Sequence, residues 1–316
     1  MDEYTVPIYL VNGFLESGKT TFLSFTLSQD YFQIEGKTLL ILCEEGEEEY
    51  SPQMLEDYGI VVEVIEKEED LTYERLNAME IIHQPERVVV EYNGMWLTSK
   101  FEEMKKPEGW GIEQMITCVD GSTFQTYMAN MKSLFMDMVR DTDMVLFNRC
   151  KKEDPLPSYR RGIKVANQRA EIVFEGEGGE MDDIFQDEMP FDVNAPIIDI
   201  LPEDYGIWFV DSMDNPDTYV NKTVRFKGRV LKPRGMGSKF FVPGRVAMTC
   251  CADDTTFLGY VCKSAFAPKL KEGQWVEITA KVAFEKRMEY QGEGIVLYAD
   301  EVTPCEPLEE EMVYFN

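Results

Sequence analysis

The sequence predicts an α/β domain with a mostly parallel sheet, followed by a small all-β barrel. Two observations lead there. Between residues 5 and 174, buried-type apolar runs alternate with stretches of helical period. From about residue 219 the pattern becomes short strands and turns, with no long helix between them. Alternation of the first kind argues a parallel sheet with helices on both faces. Closely spaced strands of the second kind argue a barrel.

The elements follow in order. "TVPIYLV" (5–11) is a β-branched and aromatic run, expected as a strand buried on both faces. "TTFLSFTL" (20–27) places Phe22, Leu23 and Leu27 at helical spacing. Strands are expected at 38–43, 60–65, 87–92, 114–120, 143–148 and 170–174, and helices at 52–59, 72–82 and 124–139. The methionines at 128, 131, 136 and 138 belong to the last helix and are expected as packing residues. "EGEGGEMDDIFQDEMPFD" is acidic and Gly-rich, as in a linker or mobile segment. Five strand regions then follow: "TVRFKGRVL", "FFVPGRVAMTC", "FLGYVC", "WVEITAKVAF" and "GIVLYADEVT". The expected organisation is a domain at 1–175, an acidic segment at 176–204, a barrel at 205–305 and an acidic tail at 306–316.

Composition excludes several roles. The chain has 316 residues and a net charge of -28, which opposes nucleic acid or an anionic membrane as the main partner. No apolar run approaches a membrane span, and the N-terminal "MDEYTVPIYLV" carries acids where a signal peptide needs bases. Seven cysteines without an even framework suit a reducing compartment, so a cytoplasmic protein without membrane insertion is expected.

The chemistry begins at "VNGFLESGKTTFL". Gly13, Gly18, Lys19 and Thr20 complete the pattern Gly-x4-Gly-Lys-Ser/Thr between the first strand and the first helix. Glycines let successive N–H groups turn toward phosphate oxygens, and the helix N-terminus adds partial positive charge. Lys19 is expected on the β- and γ-phosphates and Thr20 on Mg²⁺, with Glu16, Ser17 and Thr21 lining the same loop. "RVVVEYNG" ends a second buried strand in Glu91, with Gly94 three residues on. A carboxylate there would orient the attacking water or hold the metal through water.

These residues resemble the CobW-type branch of the CobW/HypB/UreG group of P-loop GTPases. The resemblance covers residues 5–174: "NGFLESGKTTFL", Glu91 to Gly94, "ITCVDGSTF" ending its strand at Asp120, "DTDMVLFNRC" with Asn148, and "VANQRAEIVF". It implies a Mg²⁺-dependent nucleoside triphosphatase, with GTP favoured and ATP open, and Glu44 as a further Mg²⁺ residue in a switch loop. It also implies a metallochaperone-like or regulatory role in metal homeostasis, with a client metalloprotein as partner. Two departures stand out. Arg149 and Lys151 replace the Lys and Asp of the base-reading motif, and a lysine cannot accept hydrogen bonds from a guanine edge. Glu153 or Asp154 would substitute only if that loop is longer than in the family. The cysteine motif usual beyond the second strand–helix unit is absent from "VVEVIEKEEDLT". A nucleotide-sensing scaffold with little hydrolysis is the alternative.

In the second half, "GRVAMTCCADDTTFLGYVC" resembles the small C-terminal domain of YcgQ-like, permease-associated proteins, which implies an OB-like barrel and a permease-associated partner. Cys250, Cys251 and Cys262 are open to three roles: transition-metal ligands, Zn²⁺ among them; buried small hydrophobes; or redox-active thiols. Residues 221–245 hold eight Lys or Arg and no acid, a cationic face suited to docking the acidic first domain or a partner protein, with nucleotide phosphates, another anionic ligand or single-stranded nucleic acid as the alternatives. His83, the only histidine, is expected to cap a helix or to be solvated.

Overall fold

The computed structural model describes residues 5–181, 189–249 and 254–314. They divide into two compact units. The first takes the described residues up to 156 and from 167 to 181; the second takes 157–166 and the described residues from 189 onward.

The first unit holds strands β1 (Val6–Asn12), β2 (Thr38–Leu42), β3 (Ile60–Val64), β4 (Arg87–Glu91), β5 (Trp110–Asp120), β6 (Met144–Cys150), β7 (Glu171–Gly176) and β8 (Gly179–Glu180). They form one sheet in the order β3-β2-β4-β1-β5-β6-β7-β8, parallel throughout except for the terminal β7–β8 hairpin. Helices α1 (Lys19–Leu27), α2 (Pro52–Asp57), α3 (Tyr73–His83), α4 (Thr98–Glu103) and α5 (Phe124–Arg140) connect them. The period-two rule divides the buried runs between two cores. Val88, Val90, Ile8 and Leu10 pack with Leu76 and Phe101 on one side, while Val89, Val11, Leu40 and Ile116 pack with Leu23 and Leu27 on the other. Of the four methionines in α5, Met136 and Met138 are buried and Met128 and Met131 half-buried. Helix α5 is kinked at Met131, whose φ of -135° is not helical.

Register brings the functional ends together. Val11 lies opposite Glu91, and Asp120 opposite Asn148. The loop after β1, Glu91, Asp120 and Asn148 therefore share the carboxyl edge of the parallel sheet, where such sheets bind ligands.

The second unit contains α6 (Leu156–Ala166) except its first residue, α7 (Tyr205–Asp214), α8 (Pro216–Tyr219), β9 (Ile198–Asp199), β10 (Thr223–Leu231), β11 (Phe240–Met248), β12 (Thr255–Gly259), β13 (Val261–Lys263), β14 (Trp275–Arg287), β15 (Gly292–Pro304) and β16 (Met312–Val313). Five strands close into a barrel through the pairs β10–β11, β11–β13, β13–β15, β15–β14 and β14–β10. Only β13–β15 is parallel within that ring. Trp208, Tyr205 and Tyr219 from the two helices α7 and α8 fill its core with Phe226, Phe241 and Ile278. Helix α7 is not expected from the sequence: "YGIWFVDSMD" is apolar on nearly every side, so no helical stripe stands out. Four of the eight cations in the run, Lys222, Arg225, Lys232 and Arg245, have partners within the unit. Arg225 forms a two-point ion pair with Asp199, Lys222 donates to Val193 O, and Lys232 donates to Ala267 O and Leu270 O.

Candidate nucleotide site

The loop from Gly13 to Gly18 leaves β1 and enters α1 with Gly13, Glu16 and Gly18 in positive φ, at 138°, 61° and 92°. The angle favours glycine at Gly18, and a Cβ there would sit 2.7 Å from Asn148 Nδ2 and displace that amide. Gly94 serves close approach: a Cβ there would sit 2.2 Å from Gly13 O, so only glycine lets the loop after β4 lie against the first loop.

Lys19 is 2% exposed. Its ammonium donates to Gly13 O at 2.8 Å and Phe14 O at 2.9 Å and pairs with the Glu44 carboxylate. Glu44 also accepts from the Gly94 N–H at 3.4 Å. Thr20 Oγ1 donates to Glu91 Oε1 at 2.7 Å, and the Tyr50 hydroxyl donates to Glu91 Oε2. Glu91 is buried, and burial pushes its carboxyl above the ordinary range; the hydrogen bonds from Tyr50 and Thr20 and the charge of Lys19 oppose that rise. Burial and the neighbouring Glu91 raise the Tyr50 hydroxyl, so it stays a donor. In the acidic run after β2, Glu45, Glu47, Glu48 and Glu49 are exposed. Its ends, Glu44 and Tyr50, are bound into the site, and the Glu47 N–H donates to Glu16 Oε1 at 3.2 Å.

A second group lies at the ends of β5 and β6. Burial works against ionisation of Asp120, yet hydrogen bonds from Ser122 and Arg149 outweigh it and hold the carboxyl below its usual range. Arg149 joins Asp120 Oδ2 at 2.6 Å to Glu16 O at 2.9 Å. Asn148 Nδ2 donates to Ser17 O at 2.7 Å. Ser17 Oγ and Asn148 Oδ1 are buried and have no partner among the described residues. Thr21 is exposed, on the wall of a cavity of about 710 Å³ that begins at Gly18.

All the expected nucleotide residues therefore meet at one edge. Of the expected transition-metal set, only Cys262 lies among the described residues. Cys250 and Cys251 lie outside them, and Cys262 is a core residue of the barrel whose thiol burial pushes up to about 12. No group of three His, Cys, Asp or Glu side chains suited to a metal occurs among the described residues. His83 pairs with Glu63 at 2.8 Å. The contributions of Tyr50 and Arg149 were not foreseen. The first is an aromatic closing a run of glutamates, a signal that could have been used; the second depends on a φ of 53° that no sequence pattern gives away.

A glycine loop between the first strand and first helix of a parallel sheet, closing on a buried lysine and a threonine that touches a strand-end carboxylate, defines a P-loop nucleotide-binding protein. The chain belongs to the CobW/HypB/UreG family, whose nucleotide-binding domain matches residues 7–174. Residues 180–315 match the DUF1980 C-terminal domain. Among solved structures, the chain is similar to the hydrogenase maturation factor HypB from Archaeoglobus fulgidus, at 17% identity over 54% of this chain and 81% of that one, with a TM-score of 0.36. It is also similar to the Zn(II)-bound YjiA GTPase from E. coli, at 15% identity over 76% of this chain and 86% of that one, with a TM-score of 0.42. No curated protein matches the chain. Among the described residues, no helix is long and apolar enough to cross a membrane.

Proposed function

We propose that the protein binds a Mg²⁺–nucleoside triphosphate, GTP by preference, and hydrolyses it slowly as a switch. The observation that carries this is the convergence of Lys19, Thr20 and Glu91 at the mouth of the glycine loop. Phosphate oxygens would take the place of the Glu44 carboxylate on Lys19, while N–H groups from Gly13 to Thr21 enclose the β-phosphate. Thr20 and Glu91 supply a hydroxyl and a carboxylate 2.7 Å apart, the hard oxygen donors that Mg²⁺ prefers, and Glu44 offers another. Bound Mg²⁺ would neutralise charge on the β- and γ-phosphates. Glu91 would help hold the metal and orient water there; Gly94 keeps its loop against the cradle; Asp120, through Arg149, and Asn148 brace the loop from the base side.

Lys19→Ala tests the reading directly. Triphosphate binding in calorimetry should be lost, and unchanged affinity would end the P-loop assignment. Phosphate release with Mg²⁺ then separates enzyme from scaffold: Glu91→Gln should fall well below the parent, whereas equal background rates would support a sensing scaffold. Both Glu91 oxygens already accept hydrogen bonds, and that observation favours the scaffold as the second reading.

Family membership supports a metallochaperone-like or regulatory role in metal homeostasis, with a client metalloprotein or a permease-associated protein as partner. Zinc held by Cys250, Cys251 and Cys262 is the form of that role to test. Stoichiometric zinc in the reduced protein, lost when these cysteines are changed, would support it; metal-free protein would remove it.

A further inference from the structure

We infer that Glu175, at the end of β7, is the carboxylate that reads the base, in place of the acid missing at Lys151. This rests on the nucleotide reading above and assigns its base specificity to a different strand.

The cavity of about 710 Å³ opens from the glycine loop at Gly18 and Thr21 and passes Asn148, Arg149 and Glu175. That volume is in the range of small-molecule sites. Phe22, Phe25, Tyr31 and Met144 give it apolar walls suited to a flat ring. Among the described residues that line it, Glu175 is the only acid. Its half-buried carboxylate accepts no hydrogen bond among the described residues. Of the other candidate acids, Glu153 is exposed and does not line the cavity, and two are engaged elsewhere. Asp120 takes Ser122 and Arg149, and Asp154 caps the Lys151 N–H at 2.8 Å. Register places Phe174 opposite Phe147 and Gly176 opposite Cys150, so Glu175 lies beside the β6 end that carries Asn148.

The chemistry then selects among bases. Guanine presents two adjacent donors, N1–H and N2–H, which one carboxylate accepts as a pair. Adenine presents one donor on the equivalent edge, next to a lone pair that repels the carboxylate. Asn148 Nδ2 gives one hydrogen to Ser17 O and keeps the other for a purine acceptor. A glutamine at 175 would instead accept from N1–H and donate to O2, which is the pattern of xanthine.

The test is titration of the full-length protein and of Glu175→Gln with GTP, ATP and XTP in Mg²⁺. The parent should prefer GTP over ATP. Glu175→Gln should lose about 10–100-fold in GTP affinity and gain a similar factor for XTP, with ATP little changed. A gain for XTP cannot come from misfolding. Equal GTP and ATP affinities in the parent, a GTP-to-ATP ratio unmoved by the substitution, or GTP loss with no gain for XTP would each overturn the assignment to Glu175. A parent that binds none of the three would overturn the nucleotide reading itself.

Discussion

Lys19 and Arg245 are both buried cations, each 2% exposed, and they do opposite things with the same problem. A buried cation must find hydrogen-bond acceptors. Arg245 on β11 finds backbone carbonyls, donating to Pro202 O, to Glu310 O at 2.8 Å and to Met312 O at 3.3 Å. Those acceptors are fixed parts of the chain, so Arg245 ties β16 and the turn before α7 to the barrel. Lys19 takes two carbonyls as well, but its third partner is a carboxylate on a loop. A phosphate can replace a carboxylate; nothing replaces a strand's own carbonyl. Exchangeability of the partner, rather than burial of the charge, separates a binding residue from a structural one.

The comparison breaks most sharply at Lys19. Lys19→Ala should weaken triphosphate binding by about 100-fold or more, because two charge-assisted contacts of roughly 1.5–3 kcal/mol each are lost. Its effect on the unfolding midpoint of the barrel should be nil. Arg245→Met should do the reverse. It leaves three carbonyls without their donor, at a cost of about 2–3 kcal/mol in denaturant unfolding, with nucleotide affinity unchanged. If Arg245→Met abolished binding instead, the barrel cation would have a functional role and the contrast would fail.

The two regions were unequally legible. The parallel sheet and its glycine loop could be read because their constraints are local: buried strands look apolar throughout, and Gly18, Lys19 and Thr20 are adjacent in sequence. Glu91 was legible for the same reason, as the residue ending a buried strand. Tyr50, Arg149 and Glu175 were not, since each acts through a partner supplied by a distant element. In the second unit the strands were legible from their alternation. The cationic face of β10 was legible too, from the alternation of Arg225, Lys227 and Arg229, whereas the partners Asp199, Val193 O and Leu270 O were not, because tertiary packing contributes them.

A pH series sharpens the contrast within the first unit. Burial raises the Glu91 carboxyl above its ordinary value of 4.5, so the folded protein holds that proton over a range where the unfolded chain has released it. Stability linked to Glu91 is then fully present in acid and declines as pH rises from the ordinary carboxylate value through the raised one. Glu91→Gln removes this dependence. The substituted protein should gain stability relative to the parent as pH increases through that window, with little difference in acid. A constant offset at every pH would mean that Glu91 titrates normally.

Tyr50→Phe carries the smallest expected effect and the finest distinction. The hydroxyl is one of two donors to Glu91, and its loss leaves Oε2 without a partner inside a buried pocket. The ring stays, so packing is preserved and the cost should be about 1 kcal/mol. Because the Tyr50 hydrogen bond opposes the rise of Glu91, its removal should push that carboxyl higher still and carry the stability decline to higher pH. If Tyr50 only fills space, Tyr50→Phe will match the parent at every pH. If it positions Glu91, the two pH profiles will separate even where their midpoints nearly coincide, and phosphate release by Tyr50→Phe will move in the same direction as in Glu91→Gln.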